Sequence, residues 1–179
     1  MTRGLRNGLA LAAIHLAIVG SLGVKLLADR AMYPRAWVRA APVDPNLPIR
    51  GRYVSLRLEV ERFDKMPSPI ERVVPQPGKM RFVWAQPKAV RLEVSGGRVS
   101  AVGTDQDTGV MGRVARRPGG DVVELDPVAF FIPESVRDPS IRPAGEELWV
   151  EVTVPRRGAP RPIRLGVKKG GTLTPLSLR

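Results

Sequence analysis

Between residues 52 and 60 the sequence RYVSLRLEV alternates with a period of two, and an α-helix cannot keep such a pattern on one face. Tyr53, Ser55, Arg57 and Glu59 fall on one side, and Val54, Leu56, Leu58 and Val60 on the other. This is the signature of a half-buried strand. The rest of the chain repeats the theme. Residues 80–85, MRFVWA, read as a second strand, and residues 89–104, AVRLEVSGGRVSAVGT, as a hairpin turning at Gly96 and Gly97. Residues 109–126 repeat that design with a turn at 118–120, and VAFFIP at 128–133 is a further buried run. In ELWVEVTVP, residues 147–155, Leu148, Val150, Val152 and Val154 share a face, and residues 162–178 close with another Gly-Gly hairpin. Residues 62–79, RFDKMPSPIERVVPQPGK, are the longest irregular stretch and read as a loop. The expected fold class is therefore mainly β: a single N-terminal transmembrane helix followed by an antiparallel β-sandwich or small barrel-like domain of about eight to ten short strands.

The helix is expected at the amino terminus, MTRGLRNGLALAAIHLAIVGSLGVKLLADR. Residues 8–28 reach across a hydrocarbon core of about 30 Å if Lys25 extends its ammonium to the interface. A cleaved signal peptide is the main competitor. The following LLADRAMYPRAW has no small-x-small cleavage site before a polar stretch, which favours an uncleaved anchor. Arg3 and Arg6 argue for a cytoplasmic tail, whereas Lys25, Arg30, Arg35 and Arg39 argue for the opposite orientation. The short basic tail before an apolar run decides for a signal-anchor: single-pass in the cell inner membrane, with the large domain periplasmic or extracytoplasmic. The chain divides into an anchor at 1–28, a Pro-containing connector at 29–50 and a β-rich domain at 51–179. His15 is the only histidine and lies within the apolar run, with no second titratable group beside it.

Composition removes several chemistries. Cysteine is absent, so disulfides, thiolate catalysis and Cys-based zinc sites are excluded. A Ser-His-Asp triad is excluded from the β domain, because His15 is in the anchor. IERVVPQPGK, residues 70–79, looks like a signal-peptidase box, but Glu71 replaces the lysine that box requires and no Ser-Met-x-Pro element precedes it. DQDTG, residues 105–109, lacks the further acids of a calcium loop. No catalytic, cofactor-binding or metal residue is assigned. The net charge is +12, with cations spread along the chain and interleaved with acids. Aromatic residues make up 5%, which argues against nucleic acid as a partner.

PVDPNLPIRGRYVSLRLEV, residues 42–60, resembles the GDYXXLXY family, named for a Gly-Asp-Tyr-x-x-Leu-x-Tyr signature after a Pro-x-Asp-Pro element and an Arg-Gly step. Pro42, Asp44, Pro45, Arg50, Gly51, Tyr53 and Leu56 match, while Arg52 stands at the signature Asp and Leu58 at its second Tyr. FFIPES, residues 130–135, with Pro133 and Glu134, is similar to the family's aromatic-aromatic-x-Pro-Glu element. The resemblance implies a membrane-anchored bacterial protein without an established activity, often encoded beside a multi-span membrane protein. Arg52 puts in doubt any role that needs a carboxylate there.

Read physically, Pro42 and Pro45 stiffen the approach, Asp44 suits a turn, Gly51 permits the bend into the strand, and Leu56 is a core residue. A structural role outweighs a ligand site, with Pro133 placed in the same structural set. The candidate interaction surface is Arg50, Arg52, Tyr53 and Glu134, because Arg and Tyr are frequent interface anchors. The expected function is a non-enzymatic, membrane-anchored envelope protein. Its β domain and anchor would contact a multi-span membrane-protein partner. The alternative is a binding module for an anionic envelope ligand, a lipid head group or acidic glycan. A hydrolase without a recognisable motif ranks third.

Overall fold

The computed structural model describes residues 3–43, 53–66, 70–76, 79–84 and 86–178. They form two compact units, Met1–Tyr33 and Pro34–Arg179.

The first unit is one helix, α1 (Arg3–Met32). Ala, Leu, Ile and Val dominate it and no proline interrupts it until Pro34, whose ring cannot continue the helical ladder. The last turn closes with the Tyr33 amide donating to the Asp29 carbonyl at 3.0 Å. Two polar side chains within the apolar run bond back onto the helix backbone. His15 Nδ1 donates to the Leu11 carbonyl at 2.8 Å, and Ser21 Oγ donates to the Ile18 carbonyl at 2.8 Å. Gly4–Met32 is long and apolar enough to cross a membrane, with a mean hydropathy of 1.9, and its side chains are exposed. The same length and composition suit a signal sequence.

The second unit contains β1 (Arg35–Val43), β2 (Tyr53–Arg62), β3 (Ile70–Gln76), β4 (Lys79–Trp84), β5 (Lys88–Ser95), β6 (Arg98–Gly103), β7 (Met111–Arg117), β8 (Gly120–Leu125), β9 (Val128–Phe131), β10 (Glu146–Thr153), β11 (Arg161–Lys169) and β12 (Thr172–Pro175). All but β3 and β4 join one 10-stranded sheet. Its pairings are antiparallel apart from a short parallel contact of β2 with β6 at Glu61–Ser100 and Arg62–Ala101. The mainly β expectation holds, and the hairpins fall where the Gly-Gly turns placed them. Gly96 and Gly97 have φ of 57° and 77°, and Gly170 and Gly171 have φ of 55° and 88°. These positive values are what a type I′ turn demands and what glycine adopts without a steric penalty.

β2 organises the sheet. One of its edges pairs with β1 and then β6, and the other with β9 and then β8. Because β8 pairs back to β2, the strands β2, β6, β5, β7 and β8 close into a ring, the barrel-like part of the domain. From the β1 edge the sheet continues through β10, β11 and β12. Inward residues of both parts form one core that includes Leu56, Leu58, Val90, Val123, Val150 and Leu165, all with no or almost no exposed surface. The ring interior is tight. A methyl at Gly112 would lie 2.6 Å from Val123 Cγ1, and one at Gly103 would lie 2.2 Å from the Lys65 carbonyl oxygen.

Two segments differ from the sequence reading. Arg35–Val43, within the expected connector, is extended but is an internal strand, β1, with Ala36, Val38 and Ala40 buried. Pro42 is tolerated there because it lies past Arg39, the last β1 residue paired to β10, so its missing N–H removes no bond on that edge. Residues 62–79, read as a loop, contain β3, which pairs with β4 in a separate 2-stranded sheet. The register shifts between Ile70 and Arg72, so Glu71 is an extra residue. That bulge breaks the period-two signal, and the prolines around it look like loop punctuation.

Candidate functional site

The outward face of the sheet carries the chain's main concentration of described polar chemistry. Alternation in each strand sends alternate residues outward, and the register then lines up outward residues from different strands. Trp149 on β10 pairs with Arg39 on β1, Arg39 with Glu59 on β2, Glu59 with Glu124 on β8, and Glu124 with Arg113 on β7. One row thus crosses β10, β1, β2, β8 and β7, and at its centre two glutamates face each other. Like charges directly opposite on neighbouring strands are unfavourable.

Arginines resolve the conflict. Arg117 donates from Nε to Glu59 Oε1 at 2.8 Å, and its Nη2 bridges Glu59 and Glu124. Arg113 reaches Glu124 Oε2 at 3.1 Å and Arg57 the same oxygen at 3.7 Å, while Arg39 lies 3.7 Å from Glu59 Oε2 and 3.5 Å from Glu147. The glutamate side chains are only 4% and 7% exposed beneath these guanidinium groups. The Arg117 guanidinium is held above its ordinary pKa, chiefly by the hydrogen bond to Glu59, with burial opposing the shift. Every carboxylate oxygen of this pair already faces an arginine. The pair is therefore the centre of an ion-pair network.

Beside the row lies a groove of about 280 Å³ lined by Trp37, Arg39, Glu59, Arg98, Trp149 and Lys168. Each tryptophan is covered by a cation: Arg164 lies 5.4 Å from the Trp37 ring centre and Lys168 4.7 Å from that of Trp149. Arg164 is fixed by Glu151 at 2.6 Å, and Trp149 Nε1 donates to Glu147 at 3.1 Å. Gly166 makes the Trp37 position possible, because a methyl there would lie 2.8 Å from Trp37 Cζ3 and 3.1 Å from the Thr174 carbonyl. Gly166→Ala is accordingly expected to displace the Trp37 ring and cost about 1–2 kcal/mol. A shifted tryptophan emission together with a lowered melting midpoint checks this, and an unchanged spectrum would refute it.

The residues singled out from the sequence have mixed fates. Arg50, Arg52, Asp44, Pro45 and Gly51 lie outside the described residues. Tyr53 is on the outward face of β2, opposite Phe131, with ring centres 6.2 Å apart and planes inclined at 50°. Phe131 is 70% exposed. Glu134 follows β9 at the same end of the β2–β9 ladder and is exposed. Leu56 is fully buried, Pro42 pairs with Leu56 across β1 and β2, and the Pro133 carbonyl accepts from the Val136 amide at 3.2 Å. Trp37, Arg39, Glu59, Arg117, Glu124 and Trp149 were not singled out. Their outward positions on alternating strands were a signal, but their meeting depends on pairings between distant segments. Among the described residues no cluster of three or more His, Asp or Glu side chains is placed to hold a metal ion.

An apolar amino-terminal helix followed by a β domain built on a 10-stranded sheet with a cross-strand Arg–Glu network defines the class. The family model described as GDYXXLXY protein matches residues 16–165, and the chain belongs to the GDYXXLXY family. That span runs from within α1 into β11 and contains the whole ion-pair row. Comparison with curated proteins and with solved structures returns no match.

Proposed function

We propose that this is a non-catalytic, single-pass envelope protein, held in the inner membrane by α1. Its extracytoplasmic β domain binds a multi-span membrane protein through the outward sheet face. The supporting observation is the make-up of that face. Trp37, Trp149 and the Tyr53–Phe131 pair are interleaved with arginines, and these residue types dominate binding energy at protein interfaces. The glutamates beneath fix the arginine positions in advance, which lowers the ordering cost of association. A photo-crosslinking residue in place of Phe131 or Trp149 is expected to capture one membrane protein in native membranes, whereas the same residue in place of Arg91 on β5 captures none. Absence of a common adduct at positions 131 and 149 overturns the reading.

The groove supports a second reading, an anionic ligand such as a lipid head group or acidic glycan, because Arg98 and Lys168 both border it. That reading expects salt-sensitive binding, weakened several-fold by Arg98→Gln with Lys168→Gln, and no protein adduct at position 131.

A further inference from the structure

The groove beside the ion-pair row lies where the sheet forks. β1 and β6 use the same edge of β2, β1 as far as Arg39–Glu59 and β6 from Glu61–Ser100 onward, so the two strands part at Val60. The alternation of each ladder shows which main-chain groups face the fork. The Pro34 carbonyl accepts from the Val154 amide at 3.0 Å, so the main-chain groups of Ala36 and Val38 face β10 and those of Trp37 and Arg39 face away from it. Arg39 meets Glu59 on that side. Trp37 has no such counterpart, because Glu61, the next position on β2, pairs with β6. In β6, Arg98 closes the Gly96–Gly97 turn against Ser95, so Val99 and Ala101 face β2, and the Ala101 carbonyl accepts from the Phe63 amide at 3.1 Å. The β2–β6 pairing begins only at Ser100. Among the described residues, the Trp37 N–H and C=O and the Val99 N–H therefore have no ladder partner. Main-chain groups away from water nearly always find one. Both residues line the groove, with the buried Val38 and Val60 beside them. Arg98 and Lys168 border it, and the Lys168 ammonium, over the Trp149 ring, pairs with no carboxylate among the described residues.

We infer that this fork receives the carboxy-terminal end of another protein's extended chain. The last residues of that chain add as a short strand on Trp37, its carboxylate accepts from the Val99 N–H, and Arg98 and Lys168 neutralise the charge. The inference rests on the reading of the outward face as a protein-binding surface. Three observations select this occupant. First, an open strand edge with both a donor and an acceptor is satisfied by a peptide main chain, whereas a lipid head group or a glycan has no backbone ladder to match it. Second, the groove ends at Val60, where β1 and β6 converge on β2, and its volume of about 280 Å³ is at the lower limit for a ligand pocket. A chain ends there and does not pass through. Third, an N–H donor with two cations suits a carboxylate and repels an amino terminus. Arg98 contacts Glu61 at 3.3 Å with both side chains more than half exposed, so its guanidinium has donors left for a second acceptor. The direction follows as well. β1 runs from the open end of the fork at Arg35 towards Arg39, so a chain entering with its carboxylate foremost lies parallel to β1.

The test uses the full chain in detergent micelles and two pools of random hexapeptides, one with a free carboxyl terminus and one amidated. The free-acid pool is expected to be retained on the immobilised protein and the amidated pool about tenfold less, the factor carried by a hydrogen bond to a charged group. Arg98→Gln with Lys168→Gln is expected to reduce retention of the free-acid pool by about tenfold or more. The fold survives these changes, because the Arg98–Glu61 pair is a surface contact. Titration with a retained peptide should move the amide resonances of Trp37 and Val99, and N-methylation of its last peptide nitrogens should weaken binding. Equal retention of the two pools, or retention of neither, overturns the inference. Binding that leaves both amide resonances unmoved overturns the strand addition. Retention of short-chain phosphatidylglycerol or oligogalacturonate in place of any peptide overturns it in favour of the anionic ligand. Crosslinking from positions 131 and 149 reads the protein-binding face separately. An adduct there without peptide retention overturns the fork site alone, and peptide retention without an adduct supports the fork site while overturning the wider face.

Discussion

Arg117→Met is expected to lower the melting midpoint of the β domain by about 5–10 °C, a loss of about 2–3 kcal/mol. The reason lies in the register: Glu59 and Glu124 are directly opposed, and their side chains are 4% and 7% exposed. Arg117 is the group that contacts both. Methionine keeps much of the volume but leaves two carboxylates facing each other beneath the remaining arginines, and removing one partner of a buried charge group costs more than the group contributes to stability. The figure sits below the usual range for a buried pair because Arg117 itself is 33% exposed, so water screens part of the interaction. Adding Glu59→Gln and Glu124→Gln to Arg117→Met is expected to recover most of the loss, since the repulsion goes with the charges. Thermal melts of the single and triple variants in the same detergent decide it. If the single substitution costs less than about 0.5 kcal/mol, within the range of an ordinary surface change, the network does not stabilise the fold as argued.

How much of this was legible from the chain follows from the range of each interaction. The strands announced themselves locally. Val54, Leu56, Leu58 and Val60 alternate with polar neighbours and are buried as a set, and the Gly-Gly turns fixed two hairpins. Such signals need only a few adjacent residues. β1 was less legible, because its sequence RAWVRAAPV is short in large apolar residues and ends in a proline, so it read as a connector. It becomes a strand only because β10 and β2 supply hydrogen-bonding edges on either side. β3 was hidden by the Glu71 bulge. The charged row was the least legible of all. Glu59 and Trp149 could each be assigned an outward position from the alternation, but nothing local brings β10 beside β1, or β8 beside β2. The sequence-derived surface was centred on the family-like motif instead. Of its members, Tyr53 and Glu134 do come to one end of the β2–β9 ladder, and Tyr53 gains an aromatic partner, Phe131, that the sequence reading had treated only as part of a buried run.

The two motif residues described on β2 are expected to respond very differently to truncation, and the difference separates scaffold from surface. Leu56→Ala is expected to cost about 3–4 kcal/mol. The side chain has no exposed surface, and β2 is held on both edges at this point, by Pro42 of β1 and Val128 of β9, so the backbone cannot easily collapse into the space left behind. Tyr53→Ala, three residues earlier and on the opposite face, removes one inclined ring contact with a partner that is itself 70% exposed, and is expected to cost about 1 kcal/mol. Denaturant titration of the purified chain, followed by far-ultraviolet dichroism, gives both values on one scale. Crosslinking from position 149 supplies the second axis: Tyr53→Ala should reduce capture of the membrane partner while the domain stays folded. Leu56→Ala should reduce capture only in proportion to the fraction unfolded. Equal destabilisation by the two substitutions would mean that Tyr53 belongs to the core and not to the surface, and the outward aromatic–arginine face would lose one end. Leu58 carries the same argument further. It occupies the position of the signature's second tyrosine, is fully buried and points the same way as Leu56, so that signature position is set by packing in this chain.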